Sequence, residues 1–102
     1  MSGVRLLPVG SAAKELATAG FQLRTASPNE AAQFFLQAAE SSVCSVGSAV
    51  YLAYAANCFE KAEEYERSVR VANTACCAAL ELGSTTAELV SRVLRGANPS
   101  TH

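Results

Sequence analysis

Residues 49–82 read AVYLAYAANCFEKAEEYERSVRVANTACCAALEL, and this stretch decides the fold. Its apolar spacing predicts two helices, at about residues 49–62 and 66–82, joined by a turn around residues 63–65. Small residues, chiefly alanine, recur where the axes of the two helices must come close. The rest of the chain either repeats this unit or covers its ends.

The composition predicts one small domain with an apolar surplus. The chain has 102 residues, which is enough for one core but not for two. We expect a single domain over residues 1–96 and a disordered polar tail at residues 97–102. Half of the residues are hydrophobic and the mean hydropathy is +0.16. Apolar surface is therefore either covered on several sides or left for a partner.

The charge balance and the cysteine spacing indicate which partners and which cell compartment to expect. Eight Lys/Arg oppose nine acidic residues, all glutamate, and the net charge of −1 gives no reason to expect nucleic acid or an anionic membrane as a partner. No apolar run approaches the roughly 20 residues needed to span a bilayer. The four cysteines have no paired spacing, which predicts free, buried thiols in a reducing compartment, the cytoplasm.

Two helices are predicted before the central pair. The first follows an extended lead-in at residues 1–10, is capped by Ser11 and ends near residue 25. The second covers about residues 28–42, opens on a capping box between Ser27 and Glu30, and is apolar on most of its sides. We therefore expect the second helix to be heavily buried.

One helix is predicted after the central pair. Gly83 stops the preceding helix as a left-handed cap, a second capping box from Thr85 to Glu88 opens the fifth helix, and Gly96 ends it. No stretch alternates with a period of two residues, so the chain is predicted to be all-α.

The two halves of the chain match when one is shifted by 36 residues. The shift pairs Leu16 with Leu52, Ala19 with Ala55, Gly20 with Ala56, Leu23 with Phe59, Ala32 with Ser68, Leu36 with Ala72 and Ala39 with Ala75. This order of large and small residues resembles the tetratricopeptide repeat, a helix-turn-helix unit of about 34 residues. The family's turn glycine is replaced by Ser27 and Glu63, and its closing proline is missing.

The resemblance covers about residues 13–82 and implies a specific architecture. Two antiparallel hairpins would stack into a right-handed α–α superhelix, with the fifth helix as a cap over the second hairpin. The hairpins of soluble-attachment-type adaptors and of the microtubule-interacting-and-trafficking domain look similar at this level.

The resemblance also implies a concave groove, formed by the first helices of the two units, that holds an extended or helical peptide. Positions carried over from the family give a lining of Lys14, Ala17, Phe21, Arg24, Val50, Ala53, Asn57, Glu60 and Lys61, with Tyr54 at the groove wall. This mixture implies a partner protein with apolar anchors and some acidic residues. Asn57 matches a family asparagine that holds the peptide backbone, but the companions of a chaperone-tail clamp are replaced by Phe21 and Ala17.

Phe21 is the candidate anchor in this groove. It lies off the apolar stripe of the first helix, so the hairpin alone does not bury it, and exposed aromatic residues are typical interface anchors. The other interpretation is that Phe21 packs under Leu6 and Leu7 of the N-terminal segment.

Catalytic and metal-binding readings have little support. The chain has no aspartate, no internal histidine and no glycine-rich phosphate loop. Cys76 and Cys77 point about 100° apart on a helix and have no CxxC spacing, so we expect core thiols, no metal and no cofactor. We interpret the carboxylates of residues 60–66 as a solvated face with i, i+4 ion pairs from Glu63 to Arg67 and from Glu66 to Arg70.

The leading functional hypothesis is a non-enzymatic adaptor or scaffold that binds a partner protein in the groove of the first and third helices. The alternative is a structural self-assembly unit, either a homodimer or a subunit of a larger helical complex, because the apolar second helix could pair with another copy. An enzyme or a metal carrier is the third and weakest reading.

Overall fold

The computed structural model describes the backbone of residues 9–96 and the side chains of residues 12–96. This range forms five α-helices: α1 (Val9–Leu23), α2 (Pro28–Ser41), α3 (Ser45–Lys61), α4 (Tyr65–Leu82) and α5 (Ser84–Leu94). No strand occurs in it, and the all-α prediction is confirmed. The predictions for residues 1–8 and for the tail at residues 97–102 lie outside the described residues.

Two helices begin earlier than predicted. α1 starts at Val9, so Ser11 is not its cap and the lead-in cannot extend to residue 10. α3 starts at Ser45 rather than at residue 49. The small residues at its start do not break it, because the Ser48 hydroxyl donates to the Ala39 carbonyl at 3.0 Å and ties the first turns of α3 to α2.

The two predicted capping boxes are wrong. Ser27 is the N-cap residue of α2 and its carbonyl accepts from the Ala31 amide at 2.9 Å, but its side chain makes no cap hydrogen bond. Thr85 lies inside the first turn of α5, whose N-cap is Gly83. Gly83 has the predicted positive φ of +125°, but its ψ of 170° makes it extended rather than left-handed helical. A single residue therefore turns the chain from α4 into α5.

Small residues mark the points where paired helices approach most closely, as predicted. In the first pair, a Cβ added to buried Gly20 would lie 2.9 Å from the Phe35 ring. In the second pair, the Ser68 hydroxyl donates to the Ala56 carbonyl at 2.8 Å. Contacts between the end of one helix and the start of the next, across short connections, make each pair antiparallel.

The core has two parts on either side of α3. The first joins α1, α2 and α3 around Phe35 and Phe59, and the second joins α3, α4 and α5 around Val90. α2 is heavily buried as predicted, through Ala31, Ala32, Phe35, Ala38 and Ala39. α5 packs on both α3 and α4 and so covers the open side of the second pair.

The carboxylates of residues 60–66 are exposed, as predicted, and the cysteines are free, but the predicted ion pairs and the predicted burial of most of the thiols are wrong. Within residues 12–96 the ion pair closer than 4 Å is Glu88–Arg92 on α5, at 3.3 Å, and not Glu63–Arg67 or Glu66–Arg70. Cys58 is buried, but Cys44, Cys76 and Cys77 are exposed. α4 packs against the cores through buried Ala75 and Ala79 and half-buried Val71 and Ala78, and Cys76 and Cys77 project away from these contacts.

Candidate functional site

Three aromatic rings from three different helices meet at one end of the first core. Phe21 of α1 lies edge-on to Phe35 of α2, with 4.9 Å between ring centroids, and edge-on to Tyr54 of α3 at 4.8 Å. Phe35 and Tyr54 stack at 5.3 Å with 22° between their planes. Such pairs stabilise beyond their buried area by about 0.5–1.5 kcal/mol each. The cluster therefore fixes α1, α2 and α3 relative to one another at this point.

The three rings form a layered surface. Phe35 is completely buried, and its ring fills the notch on α1, meaning the space that a side chain at Gly20 would occupy. Phe21 keeps 41% of its surface exposed, and Tyr54 is half-buried. An exposed aromatic ring supported from beneath by two others is held in place before any partner arrives. Little conformational entropy is then lost at Phe21 on binding.

Arg24 lies over the outer two rings. Its guanidinium carbon is 5.6 Å from the ring centroid of Phe21 and 5.6 Å from that of Tyr54. Cation–π contact of this kind orients the guanidinium while leaving its N–H donors available to an acceptor. Arg24 is the first residue after α1, and its amide donates to the Phe21 carbonyl at 3.4 Å, so the two side chains lie together at the end of the helix.

Lys61 brings a second positive charge to the same end. Burial raises the pKa of the Cys58 thiol, and the positive charges of Arg24 and Lys61 partly oppose that rise. Both cations therefore lie near enough to this buried sulfur to favour its ionised form. Because Tyr54, Cys58 and Lys61 follow one another at i, i+4 and i+7, they lie along one side of α3.

Two further predicted residues continue these helix sides away from the rings. Lys14 is exposed and lies two turns before Phe21 on α1, and Val50 is half-buried and lies one turn before Tyr54 on α3. We use the name aromatic face for the surface defined by Phe21, Arg24, Tyr54 and Lys61 over the Phe35 floor, with Lys14 and Val50 at its far end.

Other residues assigned to the groove lie elsewhere. Ala17 is buried in the first core and supports the surface from below, whereas Ala53 is buried in the second core, on the other side of α3. Asn57 is only 7% exposed and borders a different cleft, of about 210 Å³, with Glu60, Tyr65 and Leu94. A Cβ on Gly96 would lie 3.4 Å from the Asn57 Nδ2 atom. Asn57 and Glu60 thus turn toward α4 and α5, because their positions on α3 are rotated away from Tyr54.

The sequence did not predict the role of Phe35. The sequence predicts only that its helix is heavily buried, since α2 is apolar on most sides and its periodicity does not single out one ring. The available signal was the pairing of Gly20 with a bulky residue on the facing helix. A glycine inside an apolar helix stripe needs a partner large enough to fill the space of its missing side chain.

Neither a metal centre nor a membrane span is found in the described part of the chain. No group of three or more His, Cys, Asp or Glu side chains there could hold a metal ion. No helix between residues 9 and 96 combines the length and apolar character needed to cross a bilayer.

Three comparisons were made with known proteins. A scan against models of protein families, a search of curated proteins and a search of solved structures found no match.

Proposed function

We propose that this chain is a non-enzymatic protein-interaction module that binds a partner segment on the aromatic face. The observation that carries the proposal is the exposed Phe21 ring, supported by two other rings and flanked by Arg24. Aromatic and arginine side chains are the residue types most enriched among interface residues that contribute strongly to binding. Here the two types lie side by side at the end of α1.

The charges of the aromatic face select the partner. Arg24 and Lys61 lie at the ring end and Lys14 at the far end, whereas the nearby Glu60 borders the Asn57 cleft instead. A partner segment with apolar anchors and acidic residues would place carboxylates on these cations and an apolar side chain against Phe21. A helical segment or an extended one would both fit a face formed by two neighbouring helices.

We further propose a tetratricopeptide-like arrangement of two hairpins with α5 as a cap. Three features support it: close approach of the paired helices at Gly20 and Ala56, the contact of α3 with both α2 and α4, and the packing of α5 across α3 and α4. In that arrangement the aromatic face lies on the side where the first helices of the units meet. The exposed thiols Cys44, Cys76 and Cys77 fit a reducing compartment such as the cytoplasm.

The test begins with selection of random peptides displayed on phage against the immobilised chain. We expect selected peptides to share an aromatic or aliphatic anchor with neighbouring acidic residues. A fluorescent copy of one such peptide is then titrated with the unaltered protein, with Phe21→Ala and with the double charge reversal Lys14→Glu/Arg24→Glu. Each variant should weaken binding by on the order of tenfold, which is the loss typical of a strong interface residue.

The matched control is Arg92→Glu/Arg95→Glu at the C-terminal end of α5, which changes the net charge by the same amount away from the three rings. It should leave the affinity unchanged at moderate salt concentration, because screening removes distant charge effects. Equal losses in the two double variants would mean that only net charge matters. Selection of basic peptides, or unchanged affinity in Phe21→Ala, would contradict the proposal.

A further inference from the structure

The cleft beside Asn57 contains a buried amide that has no hydrogen-bond partner in the described chain. The Asn57 side chain is only 7% exposed, and none of the side-chain hydrogen bonds formed within residues 12–96 involves it. Buried polar groups nearly always have a partner, and leaving one without a partner lowers stability. Because this amide borders a cleft, a group that enters the cleft from outside can supply the missing partner.

The rest of the cleft combines hydrogen-bond acceptors with apolar walls. The acceptors are side-chain oxygen atoms of Asn57, Glu60 and Ser68. The Ser68 hydroxyl donates its hydrogen to the Ala56 carbonyl at 2.8 Å, so its oxygen is left as an acceptor. The volume of about 210 Å³ is roughly seven times the share of one water molecule in the liquid. The walls are formed by four aliphatic side chains and one aromatic ring: Ala56, Val69, Ala72, Leu94 and Tyr65.

The cleft also carries a negative charge that no nearby cation neutralises. Glu60 is the charged residue of its lining, and it has no ion-pair partner within 4 Å in the part of the chain that the structure describes. Lys61 lies on the Tyr54 side of α3, and Arg95 does not line the cleft. A ligand group for this cleft is therefore positively charged, rich in hydrogen-bond donors and attached to an apolar stem.

We propose that the Asn57 cleft binds a lysine side chain presented by a partner protein. The lysine ammonium has three donors, one for each of the three acceptors. Its four-carbon stem packs against Val69 and Leu94, as lysine stems do on apolar surface. The Tyr65 ring adds cation–π attraction. This contact is separate from the aromatic face and does not depend on the function proposed for that face.

Other cations fit this cleft less well. The guanidinium of an arginine has five donors in a rigid planar fork, which exceeds the three acceptors available. A free diamine or polyamine carries further ammonium groups, and the lining has no second carboxylate to receive one. A single ammonium on an aliphatic stem is the group that the cleft matches.

The test is a titration of the isotope-labelled whole chain with Nα-acetyl-lysine amide at low salt, followed by two-dimensional NMR. The side-chain amide of Asn57 and the backbone amides of Glu60 and Tyr65 should shift until they saturate. One side chain gives a dissociation constant of roughly millimolar order, which is too weak to enrich lysine peptides in the selection on the aromatic face. Nα-acetyl-norleucine amide keeps the stem without the ammonium and should bind about tenfold more weakly.

Variants of the two polar lining residues test their roles. Glu60→Gln removes an exposed carboxylate and should weaken binding of the lysine amide by about fivefold. The matched control is Glu66→Gln, which removes the same charge from a residue outside the lining and should leave the affinity unchanged. Asn57→Leu should bring the affinities for the lysine and norleucine amides closer together. This ratio is measured in the folded chain, so a change in stability does not alter it.

Several outcomes would overturn the proposal. They are equal affinities for the lysine and norleucine amides, shifts centred on another surface, unchanged binding in Glu60→Gln, and an unchanged ratio of affinities in Asn57→Leu. Tighter binding of Nα-acetyl-arginine amide would assign the cleft to a guanidinium instead. Tighter binding of the free diamine cadaverine would assign it to a small molecule, and either result would overturn the choice of a partner's lysine.

Discussion

Replacing Gly20 with alanine tests the closest contact between α1 and α2. A Cβ at position 20 would lie 2.9 Å from Phe35 Cε2 and 3.0 Å from both Cδ2 and Cζ of the same ring. Carbon atoms in contact normally lie about 3.5–4.0 Å apart. The ring has little room to move, because it is completely buried and packs against Phe21 and Tyr54.

Two opposing effects determine how much Gly20→Ala changes the free energy of unfolding. Alanine is favoured over glycine in a helix interior by about 1 kcal/mol. Forcing an extra carbon into a packed core costs about 1–3 kcal/mol, and the upper half of that range applies here since three ring carbons are crowded at once. We therefore expect Gly20→Ala to lower the free energy of unfolding by about 1–2 kcal/mol.

The assay is urea unfolding, carried out in the unaltered chain and in a Phe35→Leu background. Leucine lacks Cε2 and Cζ, two of the three ring carbons that crowd position 20, so the same Gly20→Ala substitution should there raise the free energy of unfolding by up to about 1 kcal/mol. The coupling read from the double-mutant cycle should be about 2–3 kcal/mol. If Gly20→Ala stabilises both backgrounds equally, the ring does not occupy the notch and the reasoning is refuted.

Three further predictions concern the turn and the second helix pair. Ser68→Ala should lower the free energy of unfolding by about 1 kcal/mol, because the Ala56 carbonyl loses the hydrogen bond from the Ser68 hydroxyl. The control is Thr74→Ala, which removes an exposed hydrogen bond from the Thr74 hydroxyl to the Arg70 carbonyl within α4. It should change the free energy of unfolding little in the same urea experiment. Gly83→Ala should lower the free energy of unfolding by about 1–3 kcal/mol. The whole cost comes from the φ of +125°, since the added Cβ would meet no atom within 4 Å. An unchanged midpoint of urea unfolding would show that residue 83 does not hold this backbone conformation. The raised pKa of the Cys58 thiol keeps it neutral in the folded state where the unfolded thiol, with a pKa near 9.0, already ionises. The stability advantage of the unaltered chain over Cys58→Ala should therefore be full below that pH and shrink as pH rises above it, and a constant difference from pH 7 to 10.5 would contradict the burial of this group.

Much of the fold could be predicted from the sequence because its strongest signals are local. Pro28 opens a helix, Gly83 ends one, and apolar side chains recur at helical spacing between them. The start of α3 could not be predicted in this way. Gly47 and Ser48 are poor helix formers, and the hydrogen bond from Ser48 to α2 that holds this turn is a tertiary contact.

The candidate site could be predicted only in part, for a similar reason. Phe21 was identifiable because it lies off the apolar stripe of its own helix, and Arg24 follows it at i+3. The burial of Asn57 depends on where α5 packs, which no periodicity on α3 reveals. Cys76 and Cys77 were assigned to the core from the usual preference of cysteine, but α4 meets the core through alanines and that geometry overrode the preference.

The central claim is that a partner segment binds over Phe21 and between α1 and α3. The most direct measurement is a titration of the isotope-labelled chain with the selected acidic peptide, followed by two-dimensional NMR of the backbone amides and the aromatic side chains. The account predicts that the largest shifts fall on Phe21, Arg24, Tyr54 and Lys61, with α5 unaffected. Shifts centred on α4 or on the Asn57 cleft, with Phe21 unmoved, would contradict it.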